Sequence, residues 1–117
     1  MQYLCLIYEA EALMAQRSEA DMGKMMDDYG TFTHAIKASG QFVAGDALMP
    51  TETATSVRIR NGEMITTDGP FAETKEQLAG YYLVEAENLD DAILIGSRIP
   101  AAEYGTIEVR PIMVFDQ

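Results

Sequence analysis

Tyr3-Leu4-Cys5-Leu6-Ile7-Tyr8 is an unbroken apolar and aromatic run ending at the charged Glu9-Ala10-Glu11 segment. It is too short for a typical helix and reads as a strand over Gln2 to Tyr8. Because side chains alternate along a strand, Leu4, Leu6 and Tyr8 fall on one side and Tyr3, Cys5 and Ile7 on the other. Both sides are apolar, so this strand belongs in the middle of a sheet that is covered on both faces.

The remaining elements can supply one covering layer. Between Ser18 and Ser39 the residues Met22, Met25, Met26, Tyr29, Phe32 and Ile36 recur at helical spacing, with Ser18 as N-cap and Gly40 as the stop. Gln41 to Leu48 reads as a strand. Thr53 to Arg60 and Glu63 to Thr67 flank Asn61-Gly62, whose residues tolerate the positive φ of a type I′ turn, so a hairpin is predicted there. Leu78 to Ala86 is a further strand, Asn88 caps a helix over Leu89 to Ile99 with Leu89, Ala92, Ile93, Gly96 and Ile99 on one side, and Thr106 to Phe115 closes the chain as a strand.

The order β-α-β, hairpin, β-α-β predicts an α+β fold. It is a split βαβ arrangement with two helices on one face of an antiparallel sheet and an inserted β-hairpin. Residues 1–117 suit one domain. The first strand, Tyr81 to Ala86 and Ile112 to Phe115 are apolar on both sides, so the sheet's second face needs a cover. A second copy of the chain is the economical one, which predicts a homodimer.

With 19 acidic and 8 basic residues the net charge is −11, which argues against nucleic acid and anionic membrane surfaces as partners. The lone Cys5 forms no internal disulfide, no run approaches a membrane span, and the start lacks the pattern of a signal peptide, so a cytoplasmic location is expected. One histidine and one cysteine do not make a zinc site, and no cofactor motif is found; neither a metal nor a cofactor is expected. His34 falls on the polar side of its helix, Cys5 reads as an inert buried thiol, and the eight methionines read as core filling.

The most distinctive segment is Asp68-Gly69-Pro70-Phe71-Ala72-Glu73-Thr74-Lys75-Glu76-Gln77-Leu78. It has the chemistry of a turn in which Asp68 accepts local backbone hydrogen bonds, and also that of a loop holding a carboxylate, an aromatic wall and an ammonium at the mouth of a pocket. Together with Gly80-Tyr81-Tyr82-Leu83, the opening Tyr3 to Tyr8, Tyr29-Gly30-Thr31-Phe32, Ala44-Gly45-Asp46-Ala47-Leu48 and Glu108-Val109-Arg110-Pro111, it resembles the DGPF group of YCII-related bacterial proteins.

That resemblance implies the ferredoxin-like dimeric α+β barrel fold. Some of the relatives are thought to use a helix histidine with an aspartate, and the wider superfamily includes lactone isomerases and dehalogenating lyases. Here the matching helix position falls near Asp28 or Tyr29, more than a turn from His34. Whether the chain is an enzyme stays open. The first functional reading is small-molecule binding between sheet, first helix and the Asp68 loop, with weak lyase or isomerase chemistry as an extension. Asp68 or Asp46 would be the proton acceptor, Arg58 or Lys75 the anion holder, Tyr8 or Tyr81 a wall or donor, and Pro70 and Phe71 part of the lining. The alternative implied by the resemblance is a regulatory or accessory protein associated with a sigma factor of the extracytoplasmic function class.

Overall fold

In a computed structural model, which describes residues 1–115, four antiparallel strands form the main sheet. These are β1 (Gln2–Glu9), β2 (Phe42–Ala47), β5 (Gln77–Glu85) and β6 (Thr106–Pro111), in the order β2-β5-β1-β6. Between them come a short helix α1 (Glu11–Met14), the long helix α2 (Glu19–Ala38), and α3 (Leu89–Ser97). β3 (Thr55–Arg60) and β4 (Glu63–Asp68) form a separate hairpin. This is the ferredoxin-like α+β arrangement with an inserted hairpin.

Local chemistry sets most boundaries. The Ser18 hydroxyl accepts from the Asp21 amide at 3.1 Å and the Asn88 side chain from the Asp91 amide at 2.9 Å, so each helix starts at a side-chain cap. Gly40 follows α2 at φ 78°. Asn61 at φ 52° and Gly62 at φ 77° make the hairpin turn.

Helices α2 and α3 cover one face of the sheet. Tyr3, Cys5 and Ile7 of β1 and Tyr82 and Val84 of β5 pack there against Phe32 and Ile36 of α2 and Ala92, Ile95 and Ile99. The buried stripe of α3 therefore runs through Ile95, while Leu89 and Ile93, expected to face inward, are about half exposed. Leu4, Leu6, Tyr8, Tyr81 and Leu83 lie on the other face and are only partly buried. β6 ends earlier than expected: Ile112 still donates to the Gln2 carbonyl, but β1 begins there and offers nothing further to pair with. Met113, Val114 and Phe115 are exposed and add no two-sided apolar strand to the sheet.

The molecule measures 49 × 48 × 18 Å, the thickness of one sheet plus one helix layer. Its radius of gyration, 16.4 Å, exceeds the roughly 13 Å of a compact chain of this length. The hairpin accounts for much of the difference, since it stands apart from the sheet with Val57, Ile59 and Met64 exposed on the same side.

Candidate functional site

A cleft of about 670 Å³ separates α2 from the β2–β5 edge of the sheet. Gly45 shapes its floor: a Cβ there would come within 2.8 Å of the Tyr82 ring, so glycine lets that ring lie against β2. The Tyr82 ring meets Phe32 edge-on at 5.1 Å and Phe42 at 6.3 Å, and its hydroxyl shares a 2.7 Å hydrogen bond with Thr33. Helix spacing brings Met22, Met25 and Met26 to the opposite wall, joined by Met14, while Leu48 and Pro50 form part of the rim. Lys37 also borders the cleft, its ammonium 4.9 Å from the centre of the Phe42 ring.

These methionines are wall and not core filling. Met26 is 71% exposed and Met22 39%. Flexible thioether chains can reshape around an apolar guest, which rigid branched side chains do not do as readily.

Glu9 is the buried carboxylate of this region, 6% exposed, and it borders the cleft. It continues the inward alternation of Tyr3, Cys5 and Ile7. Its Oε1 accepts from the Tyr104 hydroxyl at 3.2 Å, and the Arg17 guanidinium lies 4.0 Å from the centre of the Tyr104 ring. Burial, followed by the negative charge of Glu9, holds the Tyr29 phenol well above the ordinary range, and Tyr29 borders the cleft. Burial likewise pushes the Cys5 thiol up to about 11, the condition of an unreactive cysteine. A second groove, about 640 Å³, lies beside α2 but is bordered by solvated charges such as Asp21, Lys24, Asp28 and Glu103.

Of the residues singled out from sequence, Asp46 and Tyr81 face each other across β2 and β5 on the open side of the sheet, away from α2, where the Tyr81 hydroxyl donates to Asp46 Oδ2 at 2.7 Å. That hydrogen bond raises the Tyr81 pKa, because ionising the phenol would remove the donor from a carboxylate. Tyr8 lies on the open face of the sheet, and Arg58 is exposed on the hairpin. Asp68, Pro70, Phe71 and Lys75 are all exposed outside the cleft, Phe71 at 79%. The turn after β4 is closed by the Gly69 amide on the Ala54 carbonyl and by the Ser56 hydroxyl on the Gly69 carbonyl. Among the described residues the Asp68 side chain accepts no hydrogen bond, so it does not close this turn as expected. His34 is exposed, as its helix position requires.

A clamp not anticipated from sequence fixes the cleft rim. The Glu11 carboxylate accepts from both the amide, at 2.8 Å, and the hydroxyl of Thr51, while the Glu11 amide donates to Gln77 Oε1 at 2.8 Å. The chain thus enters and leaves the hairpin excursion at one point beside α1, and Pro50 is held at the rim next to it. Continued strand alternation was the available signal for Glu9; Glu11 and Thr51 carry no local signature of their pairing.

Residues 1–116 match the family model described as the YCII-related domain. The chain is also 34% identical over 117 residues to an uncharacterised protein of Rhizobium meliloti (strain 1021), an alignment covering 98% of this chain and 94% of that protein.

Proposed function

This chain belongs to the YCII-related domain family, and we propose that it binds a small, largely apolar molecule in the cleft between α2 and the sheet. The observation that carries this reading is the cleft itself: ligand-sized, apolar over most of its wall, and lined by methionines that the core leaves partly exposed. The test uses the neutral probe N-phenyl-1-naphthylamine, whose fluorescence rises in apolar surroundings. Saturable binding that is lost in Ala47→Phe, a variant placing a ring in the cleft, supports the reading. Binding that is unaffected by Ala47→Phe refutes it.

We also propose that a second copy of the chain covers the open face of the sheet. Leu4, Leu6 and Leu83 on that face, with the projecting hairpin, are the support. A stable pairing should bury more than about 1,000 Å² in total. Sedimentation equilibrium should find a dimer at micromolar concentration, and a monomer there would contradict the pairing.

A further inference from the structure

We propose that the molecule taken by the cleft carries a protonated nitrogen on its apolar body, and that Glu9 receives that nitrogen. This rests on the reading of the cleft as a binding site. Glu9 is almost wholly removed from solvent, yet among the described residues its side chain has one hydrogen bond, the neutral and fairly long contact from Tyr104. Among the described residues the ion pairs are Met1 with Glu85 and Lys24 with Asp28, and neither reaches Glu9.

The neighbouring cations are engaged elsewhere. Arg17 stacks on Tyr104 and donates to the Met25 sulfur, and Lys37 sits against Phe42. A buried carboxylate is costly unless paired, so a carboxylate bordering a ligand-sized cleft without a cation of its own is complementary to a cationic guest. The surroundings suit the same chemistry. Tyr29 and Tyr82 present aromatic rings that attract alkylammonium groups, while the methionines accommodate the hydrocarbon portion. A carboxylate guest would meet repulsion at Glu9 in place of pairing.

Three probes of equal chain length separate these contributions: n-hexylammonium, 1-hexanol and hexanoate, titrated by NMR at about 0.15 M salt, where diffuse attraction to the acidic surface is screened. n-Hexylammonium should bind at least about tenfold more tightly than 1-hexanol, as expected for a hydrogen bond to a charged partner, with hexanoate weakest. Glu9→Gln should remove the advantage of the amine and leave 1-hexanol affinity within about twofold, because charge is lost while shape is kept. Ala47→Phe should block amine and alcohol alike.

Equal wild-type affinities for amine and alcohol, or an amine preference surviving in Glu9→Gln or Ala47→Phe, would overturn the assignment. Equal affinities blocked by Ala47→Phe would still leave the cleft as a binding site. Failure of every probe, together with N-phenyl-1-naphthylamine, would remove both readings. Should Glu9→Gln not fold, the wild-type ranking and its loss in Ala47→Phe decide the matter.

Discussion

Replacing Glu11 by alanine removes a clamp joining three distant parts of the chain. Two hydrogen bonds from Thr51 to a carboxylate are lost, and the Thr51 amide and hydroxyl are left without that acceptor. Hydrogen bonds to charged groups contribute about 1.5–3 kcal/mol each when well buried. Glu11 is only half-buried and water can replace part of each bond, so the pair together is worth about 2 kcal/mol. For a chain of 117 residues that corresponds to a Tm lowered by about 8 °C. Thermal unfolding by circular dichroism measures the global effect, and amide hydrogen exchange at Thr51 measures the local one, with exchange at least about tenfold faster in Glu11→Ala. Glu11→Gln keeps an acceptor without its charge and should lose roughly half as much stability. The probe affinity of the cleft should weaken in Glu11→Ala because Pro50 is no longer held at its rim. A Tm within about 1 °C of wild type together with unchanged exchange at Thr51 would refute the clamp.

The Cys5 thiol titrates at about 11 when folded against an ordinary 9.0, so the unfolded chain releases its proton first as pH rises. Stability from this group is intact below pH 9.0 and is lost towards about pH 11, by about 2–3 kcal/mol; urea midpoints across that range should fall less steeply in Cys5→Ala. The upward shift of Tyr29 acts in the same direction above the ordinary phenol range, so alkaline destabilisation should continue in Cys5→Ala and be lessened further by Tyr29→Phe in the same background. His34→Ala and Asp68→Asn, both at exposed positions with no side-chain hydrogen bond among the described residues, should each change stability by no more than about 0.5 kcal/mol in urea unfolding. Loss of probe binding in Asp68→Asn with folding intact would bring the Asp68 loop back to the site.

The fold was legible because its boundaries are set locally: Ser18 and Asn88 as caps, Asn61-Gly62 as a turn, and for β1 an unbroken apolar run whose side chains fall in alternation on the two faces. Glu9 was legible in principle, since one more step of that alternation points it inward, but its charge reads locally as the end of a strand. Helical periodicity placed the methionines on one side of α2 without distinguishing a filled core from the wall of a cleft, for both are apolar. The turn in the Asp68 loop was legible from Gly69, which takes φ 95°, but the acceptor role read for Asp68 is filled by other groups. The loop's distance from the cleft did not show, because that depends on how the hairpin base docks through Glu11 and Thr51, residues 40 apart in sequence.

Binding of an apolar molecule against α2 is tested most directly by NMR of the protein carrying ¹³C-methyl methionine, titrated with N-phenyl-1-naphthylamine. The methyl signals of Met22, Met25 and Met26 should shift together and saturate at one equivalent per chain, while those of Met64 on the hairpin and Met113 beyond β6 stay in place. Shifts confined to Met64 or Met113, or no saturable shift at the three cleft methionines, would contradict a binding site between α2 and the sheet.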